Sequence, residues 1–108
     1  MSETDIVRAC IEYLRLRGIT PAFCWRQNAG VIPLPGGGVR FSGLRGVSDV
    51  LGVLPDGCIL AIEVKSAKGK MSTAQIEFQD RITASNGVAC CVRSVDELAA
   101  DLDEAMAS

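Results

Sequence analysis

The sequence predicts an α/β fold in which a central mixed sheet is flanked by helices, with the element order α-β-β-β-β-α-β-α. Two apolar runs, Asp49 to Leu54 and Cys58 to Lys65, flank a short turn and are apolar on both faces, so the hairpin they form needs cover front and back. Segments with helical apolar spacing lie before and after this hairpin, and a short apolar run, Val88 to Val92, returns between the last two of them. At 108 residues and 48% apolar content the chain can bury one modest core, so a single domain spanning residues 1–108 is expected.

The elements follow in order. Ile6, Val7, Cys10, Ile11 and Leu14 keep helical spacing up to Leu16, with Gly18 as the expected C-terminal cap. Ala22 to Gln27 is aromatic and apolar but too short for a helix, and reads as a strand, with Trp25 expected in the core in preference to serving as a stacking platform. Pro33-Leu34-Pro35-Gly36-Gly37-Gly38 is a loop, Val39-Arg40-Phe41 a short strand, and Ser42 to Gly46 a second flexible stretch. Pro55-Asp56-Gly57 is turn chemistry: proline presets the first turn angle and glycine takes the left-handed position. Ser72-Thr73-Ala74-Gln75 has capping-box form and opens a helix carrying Ile76, Phe78, Gln79 and Ile82, which closes near Asn86-Gly87. Val88 to Val92 is a buried strand. Ser94 with Glu97 repeats the capping signal before a helix lined by Leu98, Leu102 and Ala105.

Composition narrows the chemistry. The chain has no histidine, which removes Ser-His-Asp and Cys-His catalysis and histidine zinc sites. Five cysteines, an odd number without a Cys-x-x-Cys pair, read as reduced core residues, and adjacent Cys90 and Cys91 point to opposite faces of their strand. No basic-then-apolar leader or membrane-length run is present, and a cytoplasmic protein is expected. The net charge of -2 conceals an asymmetry. All five acidic groups after Arg93 lie in the C-terminal tail, while residues 1–93 carry 11 basic and 8 acidic groups, about +3, which permits a phosphate-binding face.

If Pro55-Asp56-Gly57 is a three-residue loop, Leu54 pairs with Cys58, and the antiparallel register then sets Asp49 opposite Glu63. Opposed residues on one face have Cβ atoms roughly 4.5 to 5.5 Å apart. Lys65 lies on the same face about 6.6 Å further along. Two carboxylates this close raise the pKa of at least one of them unless a cation lies between, and a divalent metal with oxygen ligands is the natural cation. Lys65 would then hold or deprotonate the attacking water, or neutralise transition-state charge. Plainer readings exist: Asp49 as a strand-end turn former, Glu63 and Lys65 as solvated ends of an edge strand. Lys68, Lys70, Arg40 and Arg45 fall in loops beside this site, where they would neutralise phosphates or simply be solvated, and Gln27 and Asn28 lead away from the Trp25 strand.

Asp49, then Glu63-Val64-Lys65 after an apolar strand, then Gly69-Lys70-Met71-Ser72 entering a helix with Gln75, resembles the VRR-NUC branch of the PD-(D/E)xK nucleases. The likeness runs from the Glu3 helix and Gln27-Asn28 to Val92. The Gly46-Val47-Ser48-Asp49 lead-in makes it more specific than the bare Asp and Glu-x-Lys pattern, although the aspartate follows serine and not proline. The resemblance implies a restriction-endonuclease-like core that cleaves DNA with Mg²⁺ or Mn²⁺. It implies a metal held by Asp49, Glu63 and the Val64 carbonyl, with Glu3 joining from the first helix, although Glu3 is also a favourable charge at a helix N-terminus. It gives Gln75 a place at the site, beside the capping role its position already offers. It further implies a stand-alone phage or prophage protein acting as a homodimer on branched DNA such as four-way junctions. A nonspecific or flap-directed nuclease, and a non-catalytic nucleic-acid-binding module of the same fold, are the alternatives.

Overall fold

The computed structural model describes residues 2–17, 24–27, 30–42 and 45–107. The expected Gly18 cap, the Ala22-Phe23 strand entry and Asn28 lie outside them. The elements are α1 (Glu3–Leu16), β1 (Cys24–Arg26), β2 (Gly30–Pro33), β3 (Val39–Ser42), β4 (Val50–Val53), β5 (Ile59–Val64), α2 (Thr73–Ala84), β6 (Val88–Val92) and α3 (Val95–Ala107). The α/β class and the flanked mixed sheet are as expected. The order differs by one strand: Gly30–Pro33 pairs with Val39–Ser42 as a separate hairpin, whose tip is the glycine-rich stretch. Sequence pattern misses this strand because Gly30 and Pro33 read as breakers, yet Pro33 stands at the strand's end on a hairpin with no third strand among the described residues, where its missing N–H costs little.

The main sheet runs β1-β4-β5-β6, antiparallel except for the parallel β5–β6 pair, and so mixed. Its centre is the expected hairpin. Gly57 lies at φ +90°, its N–H donates to the Leu54 carbonyl at 2.8 Å, and the Leu54 N–H donates to the Cys58 carbonyl at 2.8 Å. That is a three-residue loop, and the pairing continues through Val53↔Ile59 to Val50↔Ile62.

Strand alternation splits the hairpin between two cores. Val50, Leu54, Leu60, Ile62 and Val64 pack with Ile6, Val7, Cys10 and Leu14 of α1 and Leu98 and Leu102 of α3. Ala61, with Ile59 and Leu51, faces Phe78 and Ile82 of α2. At roughly 1.5–3 kcal/mol for each fully buried large aliphatic side chain, the α1/α3 face is the larger source of stability.

Helix ends follow their local chemistry. Ser2 caps α1 in a reciprocal capping box with Asp5, and Ser72 caps α2 in one with Gln75. Asn86, at φ 65°, closes α2: its N–H donates to Thr83 and that of Gly87 to Ile82, so asparagine takes the left-handed place usually given to glycine. Ser94 Oγ accepts the Glu97 N–H, but the Glu97 carboxylate turns back to the Arg93 N–H, so the expected box is half made. Ile76 is 44% exposed, because the inward stripe of α2 runs through Phe78, Gln79 and Ile82. All five cysteines are free; Cys10, Cys24 and Cys90 are buried, whereas Cys58 and Cys91 are only partly so.

Candidate active site

The hairpin register that sets Leu54 against Cys58 sets Asp49 across from Glu63 at the opposite end of the strands. β4 begins its ladder at Val50, so the Val64 N–H, two residues past Ile62, has no β4 backbone partner. The Asp49 carboxylate takes that place, with Oδ2 accepting the Val64 N–H at 2.8 Å. The Lys65 N–H points the other way, to the Val92 carbonyl at 3.0 Å. Because the N–H and C=O of one strand residue point to the same edge, the Val64 carbonyl is directed toward the Asp49 side of β5.

Glu63 is 1% exposed. Its Oε1 accepts from Gln75 Nε2 at 3.1 Å and lies 3.8 Å from Lys65 Nζ. Its Oε2 is buried with no hydrogen-bond partner among the described residues. Burial is the first cause that pushes the Glu63 carboxyl up to about 8, and the nearby Asp49 carboxylate adds to it. Lys65 opposes the rise, and Glu3 adds weakly. A buried glutamate with one oxygen unpartnered among the described residues, across the hairpin from a second carboxylate, is an arrangement that a cation would stabilise. The donor set, all oxygen, suits a hard divalent ion.

The loop from Arg45 to Ser48 brings Asp49 to this position. Gly46 has φ +73°, and a Cβ placed on it would lie 2.1 Å from the Ala74 carbonyl oxygen. Only glycine lets this loop rest on the first turn of α2, which carries Gln75. Gln75 serves two ends at once: its Oε1 accepts the Ser72 N–H at 2.8 Å in the capping box while its Nε2 reaches Glu63.

The structure thus brings together Asp49, Glu63, the Val64 backbone, Lys65 and Gln75. Glu3 is exposed and reaches the same end of β5 from α1, where its Oε2 accepts the Ser66 N–H at 3.3 Å. Its charge adds weakly to the rise at Glu63, while among the described residues no three His, Cys, Asp or Glu side chains are grouped so as to hold an ion. Lys68, Lys70 and Arg45 are exposed on loops or turns around the site. Gln27 is half-buried, and its N–H donates to the Asp49 carbonyl at 2.7 Å, next to the site. Arg40 falls on β3, its side chain outside what is described.

Two residues escaped sequence reasoning. Arg93 Nη1 donates to the Ser66 carbonyl and fixes the chain just past Lys65; the parallel pairing Val64↔Val92 places it, and counting that register would have found it. Trp25 is 44% exposed, not in the core. It stands on an edge strand, and α2, which packs against β5 and β6, does not extend over it.

A mixed four-stranded sheet between helices, with an Asp, Glu-x-Lys set at the end of its central hairpin, defines the class of fold and site. Over 95% of its length the chain superposes on 97% of a solved structure titled "VRR_NUC domain", with a TM-score of 0.59 at 18% sequence identity. The two share that fold. No family model matches the chain, and no curated protein does.

Proposed function

We propose that this protein is a metal-dependent DNA endonuclease, and the observation that carries the reading is the half-buried Asp49 set across from a buried Glu63, whose Oε2 is unpartnered among the described residues and whose Oε1 lies 3.8 Å from Lys65 Nζ. Asp49, Glu63 and the Val64 carbonyl would hold a Mg²⁺ or Mn²⁺ ion. When bound, such an ion supplies positive charge against the scissile phosphate and lowers the pKa of an attacking water. Glu3 takes an outer place, with its hydrogen bond to Ser66 holding it near the strand end. The Lys65 ammonium, 13% exposed and tethered to Glu63, orients the water or neutralises charge gathering on the phosphate. Gln75 holds the Glu63 carboxylate in place from α2. Lys68, Lys70 and Arg45 are exposed around the site and meet neighbouring phosphates, and Arg40 on β3, Gln27 after β1 and Asn28, which lies outside the described residues, are the further DNA contacts of this reading.

The favoured substrate is branched DNA cut by a homodimer, because one small site cuts one strand and a two-fold pair presents two sites to a symmetric junction. Five unpaired thiols suit the reducing cytoplasm. The decisive experiment is cleavage of a labelled four-way junction, a linear duplex and a single strand, each with Mg²⁺, Mn²⁺ or EDTA, by wild type and Lys65→Ala. Symmetric, metal-dependent cuts confined to the junction and lost in the variant support the full reading. Cutting of all three substrates leaves a general nuclease. A folded wild type that cuts nothing refutes catalysis and leaves a binding module.

A further inference from the structure

On the α2 face of the sheet, residues lie in rows across the strands. Gln27, Asp49, Glu63 and Cys91 form one row, set by Arg26↔Val50, the Gln27 N–H to Asp49 bond, Val50↔Ile62 and Glu63↔Cys91. The next row is Trp25, Leu51, Ala61 and Ala89. α2 covers the β5–β6 end of both rows, leaving Leu51 half-buried and Trp25 44% exposed at the β1 end. Trp25 is diagonal to Asp49, a relation that separates such residues by about 7–8 Å, within reach of an indole. Its Nε1 donates to Gln27 Oε1 at 3.1 Å. The indole's one polar atom is therefore satisfied within the strand, and the ring is held by the residue that borders the site.

We propose that Trp25 stacks an unpaired base of the DNA strand that passes the Asp49–Glu63 site, with Gln27 as its positioning residue. The inference rests on the nuclease reading and deepens it: the site selects strands whose bases beside the cut are unstacked, as at a branch point or in single strands. A stacked interior base pair cannot meet this ring without first being opened. The platform is continuous with the carboxylate site, and stacking on an aromatic face is tolerant of sequence.

Trp25 is the sole tryptophan of the chain, so its emission reports this one ring. The test is titration of wild type in EDTA, where metal-dependent cutting is absent, with oligo(dT) and with a blunt duplex of equal length. Trp25→Ala and Trp25→Phe are followed by anisotropy of the labelled oligonucleotide. Oligo(dT) is expected to quench the emission more than the duplex does at equal occupancy. Trp25→Ala should weaken oligo(dT) binding about tenfold or more, and Trp25→Phe should retain most of the affinity. Thermal melts confirm that both variants fold. Binding without a change in emission, or equal affinity of Trp25→Ala and wild type, overturns the stacking and leaves the nuclease reading standing. Failure of any oligonucleotide to bind overturns stacking, and the cleavage experiment above then decides the nuclease reading separately.

Discussion

Replacing Glu63 by Gln tests the charge balance of the site. The amide copies the protonated acid: its oxygen still accepts from Gln75 Nε2, and like a neutral Glu63 it puts no second charge beside Asp49. In the metal-free wild type the Glu63 carboxyl ionises near 8 when folded, against 4.5 when exposed. A carboxyl raised in this way contributes its full stability below pH 4.5 and loses it as pH rises through about 8, because only the unfolded chain gives up the proton easily. The gap spans about 3.5 pH units, and at 1.36 kcal/mol per unit the ceiling is about 4 to 5 kcal/mol. The part accumulated between pH 5 and pH 8 is about 3 kcal/mol, on the order of 10 °C in Tm for a domain of this size. Thermal melts by circular dichroism, in EDTA and reductant, should therefore show Glu63→Gln gaining stability over wild type as pH rises from 5 to 8. Mg²⁺ or Mn²⁺ should restore much of the wild-type loss at pH 8, about 2.7 kcal/mol at a hundredfold excess over Kd, and leave Glu63→Gln unmoved. Parallel pH curves for the two proteins would refute the reasoning, since Glu63 would then titrate alike folded and unfolded.

Two further substitutions probe the frame that presents Asp49. Gly46→Ala forces a Cβ into the Ala74 carbonyl at a left-handed φ, and is expected to cost more than about 2 kcal/mol in a urea unfolding midpoint; a loss under about 0.5 kcal/mol would mean that the loop moves freely off α2. Ser48→Ala removes a fully buried hydroxyl that has no partner among the described residues. A gain of about 1 kcal/mol is expected in the same assay, and a loss of that size would show that the hydroxyl holds a bonded water.

The legible parts of this protein are those fixed by local chemistry. The Pro55-Asp56-Gly57 turn sets the hairpin register, and counting back along the two strands from that turn is enough to pair Asp49 with Glu63. Capping serines locate the starts of α2 and α3, and alternating apolar residues assign the two faces of β4 and β5. What the pattern hides depends on partners distant in sequence. β2 is a strand only because Val39–Ser42 lies beside it; Ile76 is exposed because α2 turns a different stripe to the sheet. Glu3 is oriented by the Ser2–Asp5 capping box, which takes Asp5 out of play and leaves Glu3 free to reach Ser66.

The misplacement of Trp25 is the most instructive of these, because it follows from the width of a helix. One helix, about 10 to 12 Å across with its side chains, covers about two strands spaced roughly 4.7–4.9 Å apart. With α2 over β5 and β6 and meeting β4 through Leu51, the same face of the edge strand β1 is left uncovered among the described residues. Gln27, which follows β1, donates its N–H to the Asp49 carbonyl, so this uncovered edge begins beside the carboxylate pair. An apolar residue facing that side on β1 is therefore half-exposed whatever its hydrophobicity, and a tryptophan there presents a ring to whatever occupies the site. The same offset of α2 that leaves Trp25 half-exposed leaves it beside Asp49, where the proposed stacking would take place.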